Sequence, residues 1–284
     1  MPAWLARILG HAALRNPSVL GGGAVLLLLL LIALAAPLLA SADPGAIAPR
    51  YRLRMPSAEF LMGTDMVGRD VWSRVLHGAR VSLIVSASVA VIALGIGLTI
   101  GLVAGYIRWL DGPVMRVMDG LMAIPGILLA IALVSLSGAS LFTVVVAIVI
   151  PEIPRVARLV RGVVLSIREE PYVEAALGLG SPTWKILIQH IMPNTIAPLI
   201  VQGTYICASA ILTEAILSFL GAGLPTDIPT WGNIIAEGRA VFQRAPWIIL
   251  FPGGFLAVTV LAVNILGDGL RDTLDPRMKK RLGA

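Results

Sequence analysis

Long apolar runs without charges dominate this sequence, and shorter polar segments separate them. A membrane-crossing helix needs about 20 apolar residues, because the hydrocarbon layer is about 30 Å thick and a helix rises about 1.5 Å per residue. Charge-free runs of this kind cover residues 19–40, 81–107, 120–151 and 245–267, and a further run, residues 196–220, is interrupted only by Glu214. The third run is too long for one straight span, so we expect it to contribute two. The pattern therefore predicts six transmembrane helices and an all-α integral membrane fold.

The third run divides most naturally at its small-residue stretch, Ser135–Ser140, which is typical of a turn. Each resulting helix is then too short to cross the membrane by its apolar residues alone. We expect the two helices to take their outer turns from residues 113–119 and 152–158. The remaining 81–270 region forms a five-helix core behind the first span.

The first apolar run has an alternative interpretation as a secretory signal peptide. Arg7 and Arg15 precede it, and the small residues Ala40, Ser41 and Ala42 at its end resemble a cleavage site. The apolar part of a signal peptide is usually about 7–15 residues long, and this run is longer. We therefore expect an uncleaved helix.

Composition supports the membrane class and suggests an orientation. The chain is 57% hydrophobic and 13% charged, with a mean hydropathy of +0.90, whereas soluble domains are about 25% charged. Its net charge of +6 does not indicate nucleic-acid binding, because the basic residues lie in short segments between apolar runs. Most of them lie on the side that holds both termini. We therefore expect residues 1–18 and 271–284 to face the cytoplasm and residues 41–80 to face outside. The single cysteine, Cys207, excludes an internal disulfide framework.

The longest polar interruption, residues 155–194, has the sequence of a structured loop. Pro171 suits the first turn of a helix that continues to residue 179, and Gly180 suits a left-handed stop after it. Ser181 can cap a second helix with Pro182 in its first turn, running on toward Pro193. The pattern predicts two short helices at a fixed angle outside the membrane. The alternative is an amphipathic connector lying at the membrane surface.

Several motifs along residues 60–277 resemble those of a known transporter family. Glu174-Ala175-Ala176, followed by Gly180 and closed by Pro193, is similar to the EAA loop of ABC-importer permeases. The other matching motifs are Gly63–Asp70 with Ser73-Arg74, Asp119–Pro125, Leu217–Gly221, Trp231-Gly232 and Leu274–Arg277. In this order they resemble the second (C-type) permease subunit of the dipeptide, oligopeptide and nickel importers. Leu177-Gly178 departs from the usual basic residue and alanine, and the glycine loosens that helix by about 1 kcal/mol.

The resemblance implies a coupling mechanism shared by several chains. Two permease subunits pair in the bacterial inner membrane, two cytoplasmic ATPase subunits bind their EAA loops within residues 161–194, and a periplasmic binding protein delivers the substrate. The chain itself would hold no cofactor and would not be an enzyme, with ATP and magnesium on the ATPase subunits. Consistent with this, the sequence contains no Gly-Lys dipeptide and so no Walker phosphate loop. The residues expected to couple to the ATPase are Glu174, Ala175, Ala176, Leu177, Gly180 and Trp184.

Three acidic residues in or beside apolar runs are candidates for the pathway or a gate: Glu214, Asp119 and Glu152. A carboxylate at membrane depth is a functional candidate by default. For Glu214 we favour packing or gating over substrate contact, and Glu152 can equally be the end residue of a span. No residue set suggests a metal site. Gly97, Gly101 and Gly105 lie on one helix face and favour close helix packing.

Two other classes of protein fit a chain of this composition. A secondary transporter or channel would show internal repeats and several charges at mid-membrane, and only Glu214 is a candidate there. An intramembrane enzyme would need a nucleophile with its base or a motif such as His-Glu-x-x-His, and the three histidines are far apart. The sequence therefore favours an ABC-importer permease over both of these classes. Peptides, glutathione-like peptides and nickel chelates all remain open as its substrate.

Overall fold

A computed structural model describes residues 16–274 of the chain. Arg7, Arg15 and most of the Leu274–Arg277 motif lie outside the described residues. Within them most of the chain is helical, residues 40–70 and 220–230 are largely irregular, and the one β-bridge joins Thr64 and Asp70. The predicted all-α membrane fold is therefore confirmed. The helices are α1 (Pro17–Leu34), α2 (Ala36–Leu39), α3 (Val71–Tyr106), α4 (Arg108–Ala123), α5 (Gly126–Ser137), α6 (Leu141–Ile167), α7 (Pro171–Gly178), α8 (Thr183–Ile186), α9 (Met192–Phe219), α10 (Trp231–Gly238) and α11 (Trp247–Leu274).

The predicted count of six spans is not confirmed. Among the described residues, four helices are long and apolar enough to cross a membrane: α1, α3, α11 and the continuous unit from α8 to α9. The bent pair α4 and α5 adds a fifth if the two count as one span. The expected sixth span corresponds to α6, whose 27 residues include Glu152, Arg155 and Arg158.

The third predicted span differs from expectation because it is broken rather than straight. Between α4 and α5 the chain bends by 85°. Ile124 there adopts an extended conformation (φ −90°, ψ 127°), since the following Pro125 disfavours the helical region for its neighbour. The turn at the end of α5 lies where the sequence predicts it. Ser140 caps α6 and exchanges hydrogen bonds with Thr143 in a capping box.

Helices α3 and α6 pack closely through the glycines singled out in the sequence. A Cβ added to each of these glycines would lie 2.4–2.7 Å from a valine Cβ of α6. The pairs are Gly97 with Val156, Gly101 with Val160, and Gly105 with Val164. From one pair to the next, the residue numbers rise by four on both helices, so the two helices are parallel. The segment α4–α5 must therefore return the chain to the end at which α3 began.

The first and last long helices pack against each other. Gly22 of α1 lies against the backbone of α11, where an added Cβ would be 2.8 Å from the Ala262 carbonyl oxygen. Farther along, the Asn16 amide donates to the Gly269 carbonyl at 3.2 Å. Going from the Gly22 contact to the Asn16 contact, the residue number falls on α1 and rises on α11, so the two helices are antiparallel. This packing is expected of a helix retained in the bundle.

The bundle has two chemically different ends. We call the end that holds α7 the loop end, and the opposite end, with residues 41–70 and α10, the far end. Two tryptophan side chains tie the far end together: the Trp231 indole donates to the Val75 carbonyl at 3.1 Å, and the Trp247 indole donates to the Thr64 carbonyl at 3.2 Å.

Candidate functional site

Helix α7 ends in a hydrogen-bonded stop that directs the chain away from it. Gly180 has a positive φ of +74°, a conformation that glycine adopts with little strain. Its N–H donates to the Leu177 carbonyl at 2.9 Å, and the Ser181 N–H donates to the Ala176 carbonyl at 3.1 Å. These two bonds form a Schellman motif, which satisfies carbonyls at the end of the helix. The left-handed stop predicted at Gly180 is therefore present.

The second half of the loop differs from its prediction. Pro182, not Ser181, is the N-cap of α8, and no side chain caps that helix. After α8 the chain passes through a π-helical turn, Leu187–Ile191, directly into α9. The wider turn accommodates Pro193, which has no N–H to donate. The loop thus contains one separate short helix, α7, and α8 is the beginning of a long helix rather than a second free one.

One face of α7 is buried and the other is open. Val173 and Ala176 are buried in the same apolar core cluster as Ile186 of α8. Five large apolar side chains remain exposed on α7 and the start of the next helix, and we call them the loop-end patch: Tyr172, Leu177, Leu179, Trp184 and Ile188. Of the residues predicted to couple to an ATPase, Glu174, Ala175, Leu177, Gly180 and Trp184 are exposed, whereas Ala176 anchors the helix. Exposed apolar surface of this kind is typical of an interaction site.

The open helix is connected to the long helices by specific contacts. The Asn194 amide of α9 donates to the Tyr172 hydroxyl at 3.3 Å, and the Tyr172 ring lies 6.2 Å from the His190 ring. At the end of α6, the Arg168 guanidinium donates to the Gly105 carbonyl of α3 at 3.0 Å. Tyr172 therefore joins α7 to the long helix α9, and Arg168 joins α6 to α3 at the same end of the bundle.

Two ion pairs join α6 to α4 close to this loop. Arg161 binds the Asp111 carboxylate with two nitrogens, and Arg158 pairs with Asp119. The Asp119 pair is largely exposed to solvent. Bidentate arginine–carboxylate pairs fix orientation more firmly than single contacts.

The three candidate pathway carboxylates contact different partners and do not form one site. Glu152 is buried and contacts Arg155 at 3.3 Å and the Ser209 hydroxyl of α9 at 3.4 Å. Glu214 is 1% exposed and accepts a hydrogen bond from Ser218 on its own helix at 2.8 Å. Asp119 lies on the α4 surface in its pair with Arg158. Within residues 16–274, no three His, Cys, Asp or Glu residues lie close enough together to hold a metal ion.

A buried ion network at the far end was not predicted. Arg74, at 1% exposure, binds Asp65 at 2.7 Å and Glu237 of α10 at 2.5 and 3.0 Å. Arg69 binds the same two carboxylates, both at 2.6 Å. Asp65, Arg69 and Arg74 belong to the Gly63–Asp70 and Ser73-Arg74 motifs, so the sequence singled out this segment without predicting the ion network. Glu237 is more than 160 residues away in sequence, and no periodicity connects it to them.

The network also orders the turn that precedes α3. Asp65 accepts hydrogen bonds from the N–H groups of Val67 and Arg69, both at 2.9 Å. Asp70 caps α3 by accepting from the Ser73 N–H at 3.0 Å. These contacts hold the segment before α3 against α10, so the far end is a fixed structure rather than a loose loop.

Comparison with known proteins identifies the class to which this fold and loop belong. The family model described as "Binding-protein-dependent transport system inner membrane component" matches residues 97–280. The chain belongs to this family, and is thus a multi-pass inner-membrane permease subunit of an ABC importer.

Similar proteins place it more narrowly, among C-type permeases of the peptide group. A probable peptide ABC transporter permease of Sinorhizobium fredii is 58% identical, over 95% of this chain and 92% of that protein. A dipeptide transport system permease of Alkalihalophilus pseudofirmus is 44% identical, over 93% of this chain and 88% of that protein. The inward-facing MetNI methionine ABC transporter resembles 71% of this chain and 96% of its own, with a TM-score of 0.58 and 17% identity. That likeness concerns the fold alone.

Proposed function

We propose that this chain forms half of the translocation pathway of a peptide importer and transmits the ATPase cycle through α7. The observation that carries the proposal is the loop-end patch: a short helix with an open apolar face, fixed in direction at Gly180 and tied to α9 through Tyr172 and Asn194. An amphipathic connector at the membrane surface would also carry exposed apolar side chains, but it would not need the fixed stop at Gly180 or the contact with α9. The patch suits a cleft on a partner protein.

The coupling role falls to the residues of α7 and its stop. Leu177 and Trp184 supply apolar contact area to the ATPase, and Glu174 supplies a charged contact at its edge. Ala175 leaves room for close approach, Ala176 holds the helix on the core, and Gly180 sets its direction. This chain carries out no catalysis. ATP and magnesium bind to two partner ATPase subunits.

The proposed arrangement has six spans with both termini in the cytoplasm. Helix α6 is the sixth span, because it packs parallel to α3 through three successive glycine–valine contacts and so reaches the same depth. Its charged residues Glu152, Arg155, Arg158 and Arg161 all follow the uncharged stretch 141–151. The loop end then faces the cytoplasm, and the far end faces the periplasm and receives the binding protein. A second permease subunit completes the pathway.

Peptides are the substrate class that the relatives support. The two relatives above are named for peptide and dipeptide transport, and a glutathione transport permease of Pectobacterium atrosepticum is 44% identical over 79% of this chain. All three names describe short peptides or a peptide-like molecule. Glu214, which accepts a hydrogen bond from Ser218, is then a packing and gating residue. Glu152 has the same role through its contacts with Arg155 and Ser209, although its second carboxylate oxygen is buried without a hydrogen-bond partner. Asp119 acts at the α4–α6 contact.

The proposal is tested by reconstituting the complex from its separate chains. Proteoliposomes would contain this chain, its partner permease and the ATPase subunits, with the binding protein added outside. We expect ATP-dependent uptake of a labelled dipeptide that disappears when this chain or the binding protein is left out. Uptake that continues without ATP, or without this chain, would contradict the proposal.

A further inference from the structure

A pocket of about 490 Å³ opens at the far end between the end of α9 and α10. Small-molecule sites typically occupy about 300–1,000 Å³. Its wall includes Phe219, Asn233, Glu237 and Arg239, and Ala139 from the turn between α5 and α6. Three separate segments of the chain therefore line it, and it is open on one side.

The pocket carries an oriented positive charge. The Arg239 guanidinium lies over the Phe219 ring, 5.3 Å from its centroid, and such stacking holds a cation in place. Within residues 16–274, no carboxylate lies within ion-pair distance of Arg239. Glu237, the carboxylate in the same wall, already binds Arg69 and Arg74. The ion network thus neutralises the acid of the pocket and leaves its arginine available.

We infer that this pocket binds the terminal carboxylate of a peptide on the outer side of the membrane, with Arg239 as its anion-binding residue. A guanidinium matches a carboxylate through two parallel N–H donors. Phe219 supplies apolar surface beside it, and the Asn233 amide, held by the Leu224 and Pro225 carbonyls at 3.1 Å, fixes the opposite wall. The inference rests on the proposed function, since it requires that peptides reach this side of the complex.

The direct test measures peptide binding to the assembled complex without the binding protein. The permease pair with its ATPase subunits is placed in nanodiscs and titrated with the dipeptide alanyl-phenylalanine and with its C-terminal amide. We expect the acid to bind at least about tenfold more tightly than the amide, because a charged hydrogen-bonded pair is lost in the amide. Arg239→Gln should abolish this preference, and Arg239→Lys should keep part of it.

Arg244→Gln is the matched control, because Arg244 is exposed on the same loop but does not line this pocket. It should leave the preference for the acid unchanged. An unchanged preference in Arg239→Gln, or the absence of dipeptide binding to the wild-type complex, would overturn the inference. So would an Arg239→Gln complex that only loses affinity for the binding protein, because the pocket would then receive an acidic side chain of that protein.

Uptake by the wild-type system, measured in parallel, separates this inference from the function on which it rests. Normal ATP-dependent uptake without any acid preference defeats only the pocket assignment. Loss of uptake in the wild-type system would instead defeat the proposed importer function.

Discussion

The direction of α7 depends on one backbone angle, the φ of +74° at Gly180. A Cβ at this position would meet no atom within 4 Å, so a substitution there acts through backbone strain and not through a clash. We predict that Gly180→Val costs about 1–3 kcal/mol in this conformation. The long helices should still insert, while transport is uncoupled from ATP hydrolysis, as measured by uptake and ATPase rates in the reconstituted complex.

Two further variants separate strain from any other effect at the loop. Gly180→Asn should couple better than Gly180→Val, since asparagine tolerates the left-handed region. Gly178→Ala, inside α7 with equally open space around it, should preserve coupling and favour the helix by about 1 kcal/mol. Glu174→Ala should be milder than Gly180→Val, because it removes a contact and keeps the geometry. Wild-type transport by Gly180→Val would show that the loop is a mere connector.

At the level of helix pairs, α3 approaches α6 closely through its glycines. In Gly101→Ala the new Cβ would lie 2.6 Å from the Val160 Cβ and 2.7 Å from the Ala157 carbonyl oxygen. Because a backbone atom cannot move aside easily, we predict a loss of about 1–3 kcal/mol. Thermal unfolding of the purified complex in detergent measures it. Gly95→Ala, on the same helix with open space, should not lower the midpoint, and an equal loss in both variants would refute this packing.

The ion network at the far end should matter more than the exposed pair at the loop end. Asp65→Asn leaves Arg74 buried with one carboxylate fewer, and we expect destabilisation on the order of 3 kcal/mol. Asp119→Asn breaks a pair whose members are 45% and 60% exposed, and should cost about 0–1 kcal/mol. The two unfolding midpoints, measured in the same complex, should differ accordingly. Similar midpoints would mean that the network does not hold the far end together.

The sequence predicted those elements whose physical cause is local. The left-handed stop at Gly180, the turn before Ser140 and the glycine face of α3 each follow from a few neighbouring residues. The 85° bend at Ile124 was missed because the sequence around Pro125 is apolar on both sides and resembles one continuous span. The π-helical passage into α9 was missed for a similar reason: Pro193 suggests a boundary, and only the packing of the long helix decides otherwise. Glu237 joins its network through tertiary contacts alone.

For the whole molecule, the arrangement implies dependence on a second permease. Large side chains on the long helices are exposed, including Leu28, Val91 and Leu261. Lipid can cover such side chains, but it cannot form the other wall of a polar pathway, which needs a second protein subunit. We predict that the chain expressed alone inserts but neither transports nor binds the ATPase subunits stably. Coexpression with the partner permease should restore a single species in size-exclusion chromatography. A functional, monodisperse transporter made from this chain alone would contradict the heteromeric account.

The account as a whole depends on the loop-end patch facing the ATPase while the far end faces away from it. Site-directed cross-linking measures this directly, because Cys207 is the only native cysteine and Cys207→Ser provides a suitable background. Leu177→Cys on α7 and Met55→Cys at the far end are 49% and 70% exposed in their native forms, so both sites are accessible. We predict that a short cross-linker, reactive toward a thiol at one end and toward lysine amines at the other, joins residue 177, but not residue 55, to the ATPase subunit. The yield should change when ATP is added. Cross-linking from residue 55, or none from residue 177, would contradict the account.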